Sequence, residues 1–354
     1  MIAGGNNVSI RRFIEKLLVS LLVRLPRRWL VKMAGGRPIA IEGKTLDSQL
    51  QFLLALAAKR PAIETLPVSG ARQMYRDMAY SFGGSAKGMS RVEERRAPGP
   101  HGDIPLRLYV PNHLPPGPAP TLVWIHGGGF VIGDIESYDL TCRYLAEAAR
   151  CQVLSVDYHL APEHPFPAAI DDSLAVWRHV TANPQDYGAD PARIGVGGDS
   201  AGGHLSAVVS QQAKLAGLPL PKHQLLIYPV TDITREWASH DTYAEGFLLT
   251  KAAMTWFMGH FLPETVDRTD PRVSPLKAES LEGLPPATVV IAGFDPLQDE
   301  GRAYADALAA AGVPVKVLTY DDLTHGFISL PGVVDSADRA LTEISAAIRA
   351  NLVN

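Results

Sequence analysis

The spacing of apolar residues changes along the chain. In residues 1–90 they recur every three or four positions, which predicts amphipathic helices, and the glycine-rich stretch 82–88 predicts a linker. From residue 92 onwards, short apolar runs predict strands at 92–97, 104–110, 121–125, 152–156, 193–196, 224–228, 288–291 and 315–320. Helices are predicted near 137–150, 168–182, 201–216, 298–311 and 335–351. This alternation predicts a mostly parallel sheet with helices on both faces and a hairpin at one edge.

The N-terminal helix has an apolar face, interrupted by charges at 15, 16 and 24 and ended by Pro26. The residues of this face are Ile10, Phe13, Ile14, Leu17, Leu18, Leu21, Leu22 and Leu25. The charges disfavour a signal peptide, and no apolar run reaches the 18 residues of a transmembrane helix. We expect the face to pack over the protein's own core or active site. Contact with a membrane surface or a partner is the alternative, because residues 1–44 contain nine basic and two acidic residues.

Two further segments lie outside the alternation of strands and helices. A second apolar stripe contains Leu46, Leu50, Leu53, Leu54 and Ala57, and Pro61 follows it. Residues 232–275 contain aromatic side chains at helical spacing between two predicted strands. An insertion there lies above the carboxyl ends of the strands, where α/β folds bind ligands.

Composition narrows the classes of function. The 354 residues include 46% hydrophobic residues and have a net charge of −4, which is typical of a globular protein and does not favour a nucleic-acid partner. Only two cysteines, Cys142 and Cys151, are present, which favours a reducing cytoplasm. No spacing of His, Cys, Asp or Glu resembles a metal site, so we expect neither metal nor cofactor.

A G-x-S-x-G motif at Gly198, Ser200 and Gly202 follows a predicted strand and precedes a predicted helix. Such a strand-to-helix turn holds a serine hydroxyl above the sheet as a nucleophile. A serine nucleophile needs a base, and in hydrolases with this motif the chain order is serine, acid, histidine. His325 follows the last predicted strand and Asp295 the one before it, which predicts them as base and orienting acid.

Acyl transfer also needs donors for the developing oxyanion. Consecutive glycines follow the predicted strand 121–125, and they lack both the lysine of a P-loop and a dinucleotide fingerprint. We therefore predict an oxyanion hole formed by the N–H groups of Gly127, Gly128 and Ala201. Asp299 is interpreted as the cap of the following helix rather than as the acid.

Five motifs together resemble the hormone-sensitive-lipase family of bacterial esterases. They are His126-Gly127-Gly128-Gly129, Asp157-Tyr158-His159-Leu160-Ala161-Pro162-Glu163, Gly198-Asp199-Ser200-Ala201-Gly202-Gly203, Asp295-Pro296-Leu297-Gln298-Asp299-Glu300 and His325-Gly326-Phe327. The resemblance implies an α/β-hydrolase fold with a variable helical cap, a serine carboxylesterase and, in some members, a homodimer. His159 stands where the family usually has Arg, which changes a local polar contact, and Glu163 is interpreted as structural.

The domain prediction is an N-terminal helical cap region and linker at 1–90, and a catalytic domain at 91–354 with 232–275 as a second cap element. The predicted substrate is a small-molecule ester with a short to medium acyl chain. Two alternatives stay open. One is a related acyl hydrolase, such as an amidase, peptidase, lactonase or thioesterase. The other is a noncatalytic ligand-binding protein of the same fold, which the retained His325 disfavours.

Overall fold

A central sheet and the helices around it account for most of the residues that the computed structural model describes, which are 15–353. The strands are β1 Ala40–Ile41, β2 Lys44–Thr45, β3 Arg91–Gly99, β4 Gly102–Val110, β5 Ala119–Ile125, β6 Gln152–Val156, β7 Ala189–Asp199, β8 Gln224–Ile227, β9 Ala287–Phe294 and β10 Val315–Thr324. The helices are α1 (described over 15–22), α2 Arg27–Met33, α3 Ser48–Ala57, α4 Val68–Phe82, α5 Asp139–Ala149, α6 Ala168–Ala182, α7 Ala201–Leu215, α8 Ala238–Thr242, α9 Lys251–Phe261, α10 Gln298–Ala310 and α11 Asp335–Leu352.

The main sheet has eight strands in the order β10-β9-β8-β7-β5-β6-β4-β3. Strands β3, β4 and β6 pair antiparallel, and all the other neighbours pair parallel. The predicted parallel sheet with an edge hairpin is therefore confirmed. Parallel pairing brings the carboxyl ends of β5, β7, β8, β9 and β10 to one edge of the sheet, where the candidate site lies.

Strand β5 shows why both faces are covered by helices. Its successive side chains point to opposite faces, so Leu122 and Trp124 pack in a cluster with residues of α5 and α11. Val123 and Ile125 pack in the cluster that includes residues of α6 and α7. An unbroken apolar run is what a strand buried on both faces requires.

Strand β7 is longer than predicted, because its carboxyl end consists of residues without an apolar pattern. Gly197 and Gly198 continue the pairing with β5 and β8 up to Asp199. A Cβ at Gly197 would lie 2.9 Å from Leu225 Cβ on the neighbouring strand. Close packing therefore selects glycine here, and glycine gives no signal of a strand in the sequence.

The residues of the second N-terminal stripe are buried. Leu46, Leu50, Leu53 and Leu54 are buried in the cluster that also contains residues of α5 and α11. The aromatic segment 232–275 lies between β8 and β9 and includes α8 and α9. Tyr243, Phe247 and Phe257 of this segment are buried.

The prediction for α1 is wrong in its orientation over the described residues. Leu17, Leu18, Leu21 and Leu25 are 39–59% exposed, and of the predicted face only Leu22 packs against the core. Val19 and Val23 are buried instead, and the Gln49 side chain of α3 donates to the Val23 carbonyl at 3.0 Å. The side of this segment that carries Val19 and Val23 is therefore the side that lies against α3.

Ile10, Phe13 and Ile14 lie outside the described residues. Within 15–353, no helix combines the length and the apolar character that a bilayer-spanning segment needs.

Candidate active site

Ser200 lies in the turn between β7 and α7 with φ 55° and ψ −119°, a strained conformation for a residue with a side chain. Its N–H donates to Ile227 O of β8 at 2.8 Å, which holds the turn against the sheet. The Ser200 residue is 8% exposed. This geometry matches the strand-to-helix turn that the motif predicts.

The two glycines of the motif allow the backbone to cross β5 closely. A Cβ at Gly198 would lie 2.2 Å from Ile125 O, and one at Gly202 would lie 1.9 Å from the same atom. Neither distance is tolerable, and both contacts are with backbone that has no freedom to move. The turn around Ser200 therefore needs glycine at both positions.

Asp295 and His325 form a hydrogen bond between His325 Nδ1 and Asp295 Oδ2 of 2.8 Å. Asp295 follows β9 and is fully buried, and its other oxygen accepts the Leu297 N–H at 2.8 Å. His325 follows β10 and is 8% exposed. A buried carboxylate on Nδ1 holds the imidazole with Nε2 as the free nitrogen, as a general base requires.

His325 and Ser200 line the same cavity. No hydrogen bond joins the Ser200 hydroxyl to the imidazole in the part of the chain that the structure describes. Hydrogen bonds of catalytic residues often tighten only when substrate is bound, so this separation is compatible with catalysis.

Asp299 and His240, an acid and a base other than Asp295 and His325, have different partners. Asp299 Oδ2 accepts the Ser239 N–H of α8 at 2.9 Å, so it anchors the 232–275 segment rather than capping its own helix. His240 lies 3.7 Å from Glu300 Oε2, measured from Nε2. His240 therefore faces Glu300, whereas the hydrogen bond of Asp295 is with His325.

The predicted oxyanion hole needs a correction at Gly127. The Gly127 N–H donates to Asp199 Oδ1 at 2.9 Å and lies 3.1 Å from the Tyr138 hydroxyl. This donor is therefore already used within the protein. The sequence could not show this bond, because Asp199 is 72 positions away along the chain.

Gly129, which was not predicted, is a better candidate than Gly127 for an oxyanion donor. The N–H groups of Gly128, Gly129 and Ala201 have no acceptor among residues 15–353, and all but Ala201 line the cavity with Ser200. Ala201 begins α7, where the first N–H groups have no intrahelical acceptor. Gly128 has φ 116°, and a Cβ there would lie 2.1 Å from Ile132 O.

Asp199 is a second site residue that sequence reasoning missed. Its carboxylate is buried beside Ser200 and accepts hydrogen bonds from Gly127 and from Tyr138, whose hydroxyl in turn accepts one from Tyr75 of α4. Burial raises the pKa of Asp199 to about 6, although the Tyr138 hydrogen bond and the charge of His325 act in the opposite direction. Through Tyr138, the hydrogen bonds to Asp199 connect α4 with residues 127–129, which we call the glycine loop.

Arg72 makes a second connection from α4. It donates to both oxygens of Glu163 and to the carbonyls of Val131 and Ala161, at 2.6–2.9 Å. Glu163 thus has the structural role expected of it. His159, at the position of the family's Arg, donates its Nδ1–H to Asp172 Oδ2 at 2.6 Å.

The cavity above Ser200 has a volume of about 1020 Å³. Apolar side chains from both helical segments line it, including Leu54, Met78 and Phe82 on one side and Phe247, Leu249, Met254 and Phe257 on the other. Within 15–353, no three His, Cys, Asp or Glu side chains are grouped so that they could hold a metal ion. The arrangement can therefore enclose an apolar substrate over a serine nucleophile.

Comparison with known proteins agrees with this geometry. A family described as having the α/β hydrolase fold matches residues 122–329. The carboxylic ester hydrolase LipN of Mycobacterium tuberculosis is 43% identical over 331 residues, covering 90% of this chain and 87% of LipN. The ethyl acetate hydrolase of Pseudomonas putida is 34% identical, covering 85% of this chain and 97% of that protein.

A solved ester hydrolase from the metagenome of Lake Arreo superposes with a TM-score of 0.83 at 47% identity, covering 85% of this chain and 97% of that one. The fold, the matched family and these relatives all agree with the motifs. The chain therefore belongs to the α/β-hydrolase family, in its hormone-sensitive-lipase-type group of carboxylic ester hydrolases.

Proposed function

We propose that Ser200 is the nucleophile of this esterase, with His325 as its base and Asp295 as the orienting acid. The observation that carries the proposal is the 2.8 Å bond between His325 Nδ1 and Asp295 Oδ2, beside a cavity that also contains Ser200. Ser200 Oγ attacks the ester carbonyl carbon while His325 Nε2 takes the hydroxyl proton. The proton then passes to the departing alcohol, and an acyl-enzyme remains.

Water completes the reaction. His325 takes a proton from the water, whose oxygen attacks the acyl carbon, and returns the proton to Ser200 Oγ as the acid leaves. We propose that the N–H groups of Gly128, Gly129 and Ala201 stabilise the oxyanion in both steps. None of the three has a hydrogen-bond acceptor among residues 15–353. Ala201 directly follows Ser200, and Gly128 and Gly129 line the cavity with it.

The substrate is an ester with a short to medium acyl chain. A cavity of about 1020 Å³ with largely apolar walls suits a ligand of this size. Residues 1–90 and 232–275 act as the two parts of a cap over the catalytic domain 91–354, because both segments contribute to these walls. Amides, lactones and thioesters are the alternative substrates, since the same nucleophile and base cleave them.

The protein binds a small-molecule ester as its substrate and forms a homodimer. Its N-terminal helix contacts a membrane surface peripherally. The cytoplasm is the proposed location. Cys142 and Cys151 are free and buried, and burial raises the pKa of the Cys151 thiol to about 12, as suits structural cysteines in a reducing compartment.

The test is Ser200→Ala, assayed on p-nitrophenyl esters of increasing chain length with a p-nitroanilide as the amide control. We expect kcat to fall by at least about 10³-fold, and a phosphonate ester to label the unaltered protein at Ser200 only. Ser206→Ala is the matched control, because Ser206 is buried on α7 and donates only to Gly202 O. Substantial turnover by Ser200→Ala would refute the assignment, and faster cleavage of the anilide would favour an amidase.

A further inference from the structure

Six large apolar side chains on α1, on α2 and in the turn between them face solvent. They form the α1–α2 surface, which consists of Leu17, Leu18, Leu21, Leu25, Trp29 and Met33, each 39–59% exposed. Single exposed apolar residues are ordinary, whereas a contiguous group on two consecutive helices is typical of an interaction site. Val19 and Val23 of the same segment are buried and, with the partly buried Leu22, supply its contact with the hydrophobic core.

Most charged residues in the segment that carries this surface are basic, although Arg24 and Arg27 also line a pocket with Asp335 and Asp338 of α11. Residues 15–37 contain six basic residues and one acidic residue, although the chain as a whole has a net charge of −4. Arg24, Arg27 and Arg28 are exposed and have no ion-pair partner in the described part of the chain. The acidic residue, Glu15, is already paired with Arg60. An apolar surface with unpaired cations is complementary to an anionic lipid surface rather than to a neutral apolar partner.

One ion pair links the helix α1 to the wall of the substrate cavity. Arg60, which pairs with Glu15 in the first described turn of α1, also lines the cavity. Leu54 and Phe82 line it as well and pack in the same cluster as Val19 and Val23. A membrane in contact with α1 would therefore lie next to the segment that supplies Arg60 to the cavity wall.

We propose that the α1–α2 surface docks on anionic membranes, so that the cavity receives lipophilic esters from the lipid phase. The leucines and Trp29 enter the boundary between headgroups and acyl chains, and Arg24, Arg27 and Arg28 bind lipid phosphates. Trp29 suits this boundary because its indole is amphipathic, and Lys32 lies over its ring at 5.4 Å. Docking does not depend on the catalytic assignment, whereas the delivery of esters rests on the proposed function.

The experiment is sedimentation of the full-length protein with sucrose-loaded vesicles. One set is phosphatidylcholine alone and the other contains 30% phosphatidylglycerol, each in low and in high salt. We expect binding to the anionic vesicles, with a partition coefficient at least about tenfold lower in pure phosphatidylcholine or in high salt. Equal binding to both compositions, or to neither, would overturn the proposal.

Two variants and their controls assign the binding to this surface. Leu21→Gln/Trp29→Gln and Arg24→Gln/Arg27→Gln/Arg28→Gln should each reduce partitioning at least about tenfold. Leu215→Gln/Leu220→Gln changes exposed leucines elsewhere, and Arg96→Gln/Arg178→Gln/Lys222→Gln makes the same change of charge at other exposed sites. Both controls should partition within about twofold of the unaltered protein. If they lose binding equally, the surface is not the docking site.

Hydrolysis of a water-soluble ester keeps this test separate from catalysis. All four variants should retain that activity in solution, while the first two lose activity on esters embedded in anionic vesicles. Light scattering identifies a competing occupant. If the unaltered protein is a dimer that Leu21→Gln/Trp29→Gln converts to monomer, and no vesicles bind, a second copy covers the surface and the proposal is wrong.

Discussion

Helix α1 and the 232–275 segment both have apolar residues at helical spacing, but the two segments differ in how far those residues are buried. In α9, Phe257 and Phe261 are 7% and 2% exposed, whereas Leu21 of α1 is 59% exposed. Phe261 stacks on Phe130 next to the glycine loop with ring centroids 3.8 Å apart, and Leu21 has no comparable partner in the described structure. An apolar stripe thus shows that a helix has a face to cover, but not whether the protein itself covers it.

The largest difference between the two segments should appear in stability. We expect Phe261→Ala to lower the free energy of unfolding by about 3 kcal/mol, because it removes a buried ring and leaves a cavity beside Phe130. Leu21→Ala should change it by no more than about 0.5 kcal/mol, since that side chain is exposed. Urea unfolding of both variants measures the two values, and similar losses would mean that α1 is packed as tightly as α9.

Substitutions in the glycine loop test whether the 232–275 segment also influences turnover. A Cβ at Gly129 would lie 2.3 Å from the Phe257 ring, whereas one at Gly128 would meet the Ile132 backbone. Gly128→Ala and Gly129→Ala should each lower kcat about 10²-fold by displacing an oxyanion donor.

A second substitution, Phe257→Ala, distinguishes the effect at Gly129 from the effect at Gly128. Adding Phe257→Ala should restore part of kcat to Gly129→Ala, because space replaces the ring, and none to Gly128→Ala. Steady-state kinetics on a short-chain ester measure both pairs. Equal rescue would contradict the contact, and unchanged kcat in folded single variants would remove the glycines from the oxyanion hole.

A smaller and pH-dependent effect should arise where the 232–275 segment meets α10. Glu300 is buried, accepts the Thr231 N–H at 3.0 Å, and has its pKa raised by burial to about 7, from 4.5. The Glu300 carboxyl group therefore binds its proton more tightly in the folded protein than in the unfolded chain. Stability due to Glu300 is complete below pH 4.5 and is lost as pH rises towards 7.

Glu300→Gln should remove that loss, because the amide keeps an acceptor for Thr231 and has no charge to bury. The variant should gain stability relative to the unaltered protein as pH rises from 4.5 to 8, by on the order of 2 kcal/mol in total. Thermal unfolding across this range measures the difference, with the exposed Glu279→Gln as control. A difference that does not change with pH would contradict the assigned pKa.

The smallest expected effect is that of chelation. Neither helical segment nor the catalytic centre should need a metal, because a serine, a histidine and a carboxylate complete the reaction with water. EDTA should leave the esterase rate unchanged. A rate that falls on chelation and recovers with a divalent cation would require a different mechanism.

Much of the candidate site could be predicted from sequence because its signals are local. The strained turn at Ser200 needs glycines two positions away on either side, and His325 and Asp295 each directly follow a recognisable strand. Parallel pairing then brings these strand ends together. The alternation of short apolar runs and helices likewise determined the fold class, since a strand buried on both faces must be apolar throughout.

Other features depend on contacts between distant parts of the chain, and only the tertiary structure decided them. Asp199 accepts the Gly127 N–H, so the glycine donors left without an acceptor in the described part of the chain are those of Gly128 and Gly129. On α1, the valines lie against α3 and the leucines remain exposed. The physical reason is the same in both cases. A sequence pattern specifies which groups require a partner, whereas the identity of the partner depends on which surfaces the fold brings together.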